Sequence, residues 1–146
     1  MSAPTKLVMT ADEINAFFHE VFPQVRGDFS VDDVAPREIT LRLKVGERHL
    51  RPGGTVSGPS MFGLADVTVY AMILSLIGPR ALSVTTSSSF DFMRKPDGTR
   101  DMIAKGKLLK LGKSLAVGDV LLFSEGDTEP VARSTMTYSI PPAHIK

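Results

Sequence analysis

The sequence predicts an α+β fold in which a curved antiparallel sheet wraps around a long central apolar helix. Residues 61–77 would be apolar on every side of a helix and contain one charged residue, Asp66. This pattern is typical of a helix enclosed by the rest of its protein. After residue 83 the pattern is that of strands separated by short turns, which favours an antiparallel sheet packed on the helix.

The composition of the chain limits its class and its partners. No internal repeat, low-complexity tract or linker divides the 146 residues, so we expect residues 1–146 to form a single domain. The chain contains no cysteine, which excludes disulfides and thiolate chemistry and fits a cytoplasmic location. The formal net charge is +1 and the basic residues are scattered, so we expect no nucleic-acid partner.

The hydrophobic segments do not indicate export or a membrane partner. The N-terminal residues contain no apolar run of signal-peptide length before the first acidic residues. Asp66 interrupts the central apolar run, and Gly78 and Pro79 end it. The uncharged stretch is therefore too short to cross a bilayer convincingly.

The first elements follow from local signals. Thr10 and Glu13 have capping-box spacing at the start of an amphipathic helix over residues 10–22, which Pro23 ends. Its apolar stripe consists of Ile14, Phe17, Phe18, Val21 and Phe22. Residues 38–45 alternate between polar and apolar, and we expect this strand to pair with a strand over residues 29–34.

The central helix and the later strands are also bounded by recognisable residues. Ser57 is a suitable N-cap, and Pro59 falls in the first turn, where a missing amide costs least. Strands are predicted over residues 83–93, 102–111, 115–124 and 131–140. We expect the turns between them, at residues 94–98, 112–113 and 125–127, to join them as a meander.

Several common catalytic sites are excluded by spacing. The glycines around Ser57 do not have the spacing of a nucleophile elbow. No P-loop lysine or dinucleotide fingerprint follows a strand. The histidines, His19, His49 and His144, are too far apart in the sequence to suggest zinc ligands, so we predict no metal.

Two features with chemical potential remain, and both lie on the central helix. The amides near Gly58 start the helix, where the dipole favours developing negative charge. Asp66 follows eight residues later, about 12 Å along the axis at the α-helical rise. One chain cannot easily direct both groups at one reacting atom, so a shared site requires a dimer.

Three segments together resemble the hotdog-fold acyl-CoA thioesterases of the phenylacetate-pathway (PaaI-like) type, and the likeness covers nearly the whole chain. They are GTVSGP at residues 54–59, LAD at residues 64–66 and FDFMRKP at residues 90–96. In that family a His-Gly-Gly triplet opens the central helix, a Leu-x-Asp follows, and a strand ends in aromatic-x-Arg-Pro. The resemblance implies a hotdog fold and hydrolysis of an acyl-CoA at the interface of a homodimer or homotetramer.

The resemblance also implies roles for individual residues, with coenzyme A required only as part of the substrate. Gly58 would polarise the thioester carbonyl, and Asp66 of the neighbouring subunit would act as base or nucleophile. Thr85 falls where relatives place a serine that helps to position water. The resemblance further implies substrate contacts, which would come from Ser57 and from three basic residues near the phosphates, Arg94, Lys95 and Lys113.

The chain departs from the family pattern at three positions. Ser57 stands where the family has histidine, Pro59 replaces the second glycine, and Arg51 stands where some relatives carry asparagine. Asp66 has a structural alternative, in which a hydrogen-bonded carboxylate holds the helix in register, and Ser57 is also explained by N-capping. The alternative function is a non-catalytic acyl-CoA or lipid-binding or ligand-sensing module.

Overall fold

A computed structural model describes residues 6–25, 27–79 and 82–142, and its architecture confirms the predicted α+β class. Two α-helices and six strands make up the described part of the chain. In chain order they are α1 (Ala11–Val21), β1 (Phe29–Ala35), β2 (Glu38–Leu43), α2 (Gly58–Ile77), β3 (Val84–Phe92), β4 (Met102–Leu111), β5 (Leu115–Ser124) and β6 (Ala132–Ser139). Short 3₁₀ turns lie at Pro23–Val25 and Glu47–His49.

The first helix begins with the capping box that its sequence predicts. The Thr10 hydroxyl accepts a hydrogen bond from the Glu13 amide at 3.1 Å, and the Glu13 carboxylate accepts from the Thr10 amide at 2.9 Å. Ile14 and Phe18 are buried on the face that the apolar stripe marks. The helix therefore covers one end of the core while its polar face stays in water.

The six strands form one antiparallel sheet in the order β1-β2-β4-β5-β6-β3. The predicted meander is correct from β4 to β6 but wrong for β3, which pairs with β6 at the far edge. Residues 93–101 cross the ends of β6 and β5 instead of making a tight turn. Hydrogen bonds from the amides of Arg94 to Val131 O and of Asp97 to Ser124 Oγ hold this crossing.

Helix α2 lies against the concave face of the sheet and forms most of the core. Ser57 caps it, Pro59 lies in its first turn, and thirteen of its twenty residues are buried. By length and composition alone the helix resembles a membrane span, yet 72% of its most apolar 18-residue stretch is buried inside the protein. This enclosure explains why the helix has no polar face, and it fits a core helix of a soluble fold.

Glycines in the neighbouring strands let the helix approach the sheet closely. A Cβ at Gly106 of β4 would lie 2.8 Å from the Thr68 methyl group and 2.9 Å from Met72 Cε. Gly118 of β5 faces the same methionine, at 3.0 Å. The position of α2 across the sheet therefore depends on the absence of side chains at these two strand positions.

Candidate functional site

The carboxylate of Asp66 is the centre of the candidate site. It projects from the third turn of α2 and is held by hydroxyls from two strands. The Thr85 hydroxyl of β3 donates a hydrogen bond to Oδ1. The Tyr138 hydroxyl of β6 lies 2.8 Å from the same oxygen. The one charged residue of the central helix is therefore partly buried and hydrogen-bonded.

The register of the sheet brings the two hydroxyls together. Thr85 and Tyr138 are direct partners across the β3 and β6 pair, and their side chains share the face turned toward α2. The family resemblance implied a role for Thr85 but none for Tyr138. The available signal was its inward place on the alternating last strand, because a buried tyrosine hydroxyl normally needs a hydrogen-bond partner.

Aromatic rings support the site from the side of the core. The Tyr138 ring stacks on Tyr70 with centroids 6.3 Å apart, and Tyr70 stacks on Phe18 of α1 at 5.9 Å. Tyr70 follows Asp66 by one helical turn. A continuous stack therefore runs from α1 through α2 to β6 and limits the movement of Tyr138.

A pocket of about 360 Å³ opens beside Asp66. Its volume falls within the range of small-molecule sites, about 300–1,000 Å³. Val21 and Phe22 at the end of α1 supply apolar wall, and Thr85 and Tyr138 supply polar atoms. The pocket thus combines an apolar wall with one carboxylate.

The tyrosine hydroxyls of the site remain protonated at neutral pH. Burial raises the pKa of Tyr70 to about 12. Burial, followed by the negative charge of Asp66, raises the pKa of Tyr138 well above its usual value. Both phenols are therefore hydrogen-bond donors over the physiological range.

The start of α2 forms a second candidate half-site. Gly58 is the first helical residue, so its amide has no acceptor within the helix. Pro59 has no amide hydrogen, which leaves Gly58 as the donor at this end. The Ser57 hydroxyl accepts from the Ser60 amide at 3.2 Å and donates to Ser60 Oγ at 2.9 Å. Ser57 thus acts as the N-cap of the helix.

The two half-sites lie at opposite ends of β3. A Cβ on Gly58 would lie 3.4 Å from the Phe92 ring, at the end of the strand. Asp66 contacts Thr85, near its beginning. The partners of these two strand residues on β6, Tyr138 and Ala132, are six positions apart, which is about 20 Å at the rise of a strand. One chain therefore does not bring Gly58 and Asp66 to one reacting atom.

The three basic residues singled out in the sequence are divided between the same two ends. Arg94 and Lys95 follow β3 at the Gly58 end, and Lys113 lies between β4 and β5 at the Asp66 end. Arg94 pairs with Glu129 and donates to the carbonyl oxygen of Pro130 at 2.8 Å. Lys95 and Lys113 are exposed to solvent.

The described histidines lie apart from Asp66. His19 is exposed on α1, whereas His49 is buried beside Asp28, and His144 lies outside the described residues. Among residues 6–25, 27–79 and 82–142, no three His, Asp or Glu side chains are grouped closely enough to hold a metal ion.

Comparison with known proteins identifies the family. A model of the thioesterase superfamily matches residues 53–131, which include Gly58, Asp66 and Thr85. The chain belongs to the thioesterase superfamily. The curved sheet around one apolar helix is accordingly the hotdog fold of that superfamily, as the resemblance implied.

Individual relatives agree with this assignment. A crystal structure from Silicibacter sp. TM1040 that carries a thioesterase assignment is 63% identical, covers 95% of this chain and 96% of its own, and has a TM-score of 0.89. The N33D mutant of the phenylacetic acid degradation protein PaaI from Thermus thermophilus is 25% identical. It covers 82% of this chain and 99% of its own, with a TM-score of 0.69.

A curated relative from Thermoplasma acidophilum carries an esterase assignment and is more distant. It is 24% identical over 113 residues, which are 77% of this chain and 83% of the relative. Together the family match and the Silicibacter relative make this protein a thioester hydrolase. The site of a thioesterase requires groups that activate water and polarise a carbonyl.

Proposed function

We propose that this thioesterase hydrolyses acyl-CoA in the cytoplasm, at two equivalent sites on the interface of a homodimer. Asp66 acts as the general base or the nucleophile, and Gly58 of the partner subunit donates its amide to the thioester oxygen. The observation that carries the proposal is the Asp66 carboxylate, held beside an apolar pocket by two hydroxyls. No cofactor takes part other than the coenzyme A of the substrate.

The carboxylate suits the hydrolysis step. Acting as a base, Asp66 takes a proton from water while the water oxygen bonds to the thioester carbon. The tetrahedral intermediate then breaks its C–S bond, and the CoA sulfur leaves with the proton that Asp66 had taken from the water. Acting as a nucleophile, Asp66 bonds to the same carbon, displaces the CoA sulfur, and the resulting anhydride is opened by water. Both routes require one carboxylate oxygen aimed at the pocket.

The start of α2 suits the charge that develops on the thioester oxygen. The Gly58 amide is fixed by the helix and points away from it, and the helix dipole adds a positive potential at the same place. The Phe92 ring, which lies over Gly58, shields this end from solvent on one side. A preorganised donor of this kind stabilises an oxyanion more than the ground-state carbonyl.

Pairing between the β3 edges of two copies would complete the site. Within the described sheet β3 pairs with β6 alone, and its Val84 and Phe92 side chains are 56% and 55% exposed. With the bulge of β3 between Thr85 and Ser87, an antiparallel pairing with Ser89 opposite Ser89 of the partner subunit would place Thr85 opposite Phe92 of the partner subunit. Asp66 of each chain then meets Gly58 of the other. Such edge pairing is the ordinary route by which sheets associate.

The same pairing would bring the three basic residues near one another. Arg94 and Lys95 from the Gly58 end of one copy would approach Lys113 near the Asp66 end of the other. The phosphates of coenzyme A are multiply negative, and lysine and arginine bind such groups. We propose that these three side chains contact the coenzyme A part of the substrate, whereas the acyl part enters the apolar pocket.

The direct test is hydrolysis of short, medium, long and aromatic acyl-CoAs, followed by release of the free thiol. Asp66→Asn keeps the shape of the side chain but removes the base, and we expect kcat/KM to fall about 100-fold or more. The matched control is Asp119→Asn, because the Asp119 carboxylate also accepts from a threonine hydroxyl, Thr135, at 2.5 Å on the opposite face of the sheet. It should retain wild-type activity.

The predicted alternative, a non-catalytic acyl-CoA or lipid-binding or ligand-sensing module, is disfavoured by the family match and the Silicibacter relative. One observation favours it, because the Ser57 hydroxyl occupies the place of the family histidine and is engaged with Ser60. In that case the wild type would bind acyl-CoA in calorimetry and release no thiol. Full activity in Asp66→Asn would contradict the assigned role of the carboxylate.

A further inference from the structure

The hydroxyl of Tyr138 contacts Asp66 at two points. It lies 2.8 Å from Oδ1 of the carboxylate and 2.9 Å from the main-chain carbonyl oxygen of the same residue. The one hydroxyl hydrogen is therefore shared between two acceptors of Asp66, its carboxylate and its main-chain carbonyl oxygen. Rotation of the carboxylate about χ1 would break the first contact, so this contact favours a single rotamer.

Tyr138 is itself well fixed. Its side chain is 3% exposed, and its ring stacks on Tyr70 with an interplanar angle of 14°. Its strand position is set on both sides, since Tyr138 pairs with Thr85 of β3 and with Ala116 of β5. A rigid donor aimed at a carboxylate holds that carboxylate more accurately than a mobile one.

The two carboxylate oxygens of Asp66 differ in their hydrogen bonds. Thr85 and Tyr138 both reach Oδ1, whereas no residue in the described parts of the chain donates a hydrogen bond to Oδ2. We propose that Tyr138 is a positioning residue, which together with Thr85 fixes Oδ1 and leaves Oδ2 as the oxygen that meets water or the thioester carbon. This inference rests on the proposed role of Asp66.

The electrostatics agree with this division. Burial and the charge of Asp66 raise the pKa of Tyr138, so the phenol stays protonated and remains a donor at neutral pH. Tyr138 belongs to the pocket lining, and its hydroxyl contacts the Asp66 carboxylate. We assign this hydroxyl to the orientation of Asp66.

The variant Tyr138→Phe tests the inference, because it removes the hydroxyl and keeps the ring stack. We expect kcat to fall about tenfold or more while KM stays within about twofold, because orientation is lost and substrate contacts are not. Thr135→Val is the matched control. It removes a hydroxyl-to-carboxylate hydrogen bond from the same strand on the opposite face and should leave kcat unchanged.

A second arm separates positioning from a general loss of structure. In the Asp66→Asn background, Tyr138→Phe should cause no further loss, because the group that it positions is already inactive. An equal loss in both backgrounds, or an unchanged kcat in the single variant, would overturn the inference. The proposed function fails by a different result, which is full activity of Asp66→Asn alone.

Thr85 provides the same test should Tyr138→Phe fold poorly. Thr85→Val removes the other donor to Oδ1, and Thr85→Ser restores a hydroxyl on a smaller side chain. We expect kcat to fall in the valine variant and to recover at least in part in the serine variant. Equal kcat in both variants would contradict the shared hold on Oδ1.

Discussion

At the residue scale, the buried His49 connects the loop before α2 to the start of the helix. Its Nδ1 accepts the Gly46 amide at 2.8 Å, and its carbonyl oxygen accepts the Ser57 amide at 2.8 Å. Nε2 lies 3.4 Å from Oδ2 of Asp28, which also pairs with Arg48. The neutral imidazole of His49 therefore helps to hold the loop that leads to the Gly58 half-site.

This arrangement predicts a pH dependence of stability. Burial, followed by the charge of Arg48, lowers the pKa of His49 below its usual 6.5. Below about pH 6.5 the unfolded chain binds a proton that the folded chain does not, so the free energy of unfolding falls as the pH falls. The slope from this one group is at most about 1.4 kcal/mol per pH unit, and it ends at the folded pKa.

Urea denaturation of the wild type and of His49→Asn, at about pH 7.5 and about pH 5.5, measures this effect. The asparagine amide oxygen replaces Nδ1 as acceptor and does not titrate. We expect the stability advantage of the wild type to shrink at the lower pH. Effects that are common to both proteins cancel in the difference. An advantage that is constant or grows at low pH would contradict the prediction.

At the element scale, the contact between α2 and β4 depends on Gly106. A Cβ there would meet the Thr68 methyl group at 2.8 Å, Met72 Cε at 2.9 Å and Ile39 Cγ2 at 3.1 Å. Gly106→Ala should therefore lower the free energy of unfolding by about 1–3 kcal/mol, through overpacking. Thermal or urea denaturation provides the measurement.

The control for this substitution lies on the helix itself. A Cβ at Gly63 of α2 would lie 3.7 Å from the Phe29 ring, an ordinary contact distance. Gly63→Ala should leave stability unchanged or raise it by about 0.5–1 kcal/mol, because alanine is the better helix former. If Gly106→Ala were as stable as Gly63→Ala, the sheet would have room to move away from the helix.

Local sequence signals predicted the helices and strands but not the order of every strand in the sheet. Every helix and strand was predicted within about two residues, because capping boxes, alternation and turn residues are local signals. The position of β3 was not predicted, because it depends on contacts between distant residues. The Asp97 amide bonds to Ser124 Oγ, 27 residues away, and this bond holds the crossing from β3 to β4.

The candidate site was likewise predictable only in part. Asp66 was recognisable because a lone acid on an apolar helix requires a partner or a use. Thr85 followed only from the family resemblance. The contact with Tyr138 joins positions 72 residues apart and depends on the register between β3 and β6, which no local pattern specifies. Local chemistry could be predicted, but its partners required the three-dimensional structure.

At the scale of the whole molecule, the arrangement of half-sites makes oligomerisation part of the chemistry. Gly58 and Asp66 are separated by about 12 Å along α2 and lie near opposite ends of β3. A single copy then offers an incomplete site at each end of one edge strand. Two copies joined through that edge would complete both sites at once.

A charge at the centre of β3 tests this dependence. Ser88 is exposed on the strand, and in the proposed pairing it lies diagonally across from Ser88 of the partner subunit, on the same face of the sheet. Ser88→Lys would place two like charges together at the edge, which disfavours pairing, whereas Ser88→Ala adds no charge and is the matched control. Light scattering after size-exclusion chromatography should show monomers for the lysine variant and dimers or tetramers for the alanine variant.

Thiol release measured across the same protein concentrations then connects assembly with catalysis. We expect the activity of Ser88→Lys to fall with its dimer fraction and to recover when higher concentration restores pairing. Asp66 and its hydroxyl donors remain intact in the monomer, so lost activity would reflect the missing Gly58 amide of the partner subunit. A monomer with full activity would show that the oxyanion donor lies within the same chain, and a dimeric, active lysine variant would place the interface on another face.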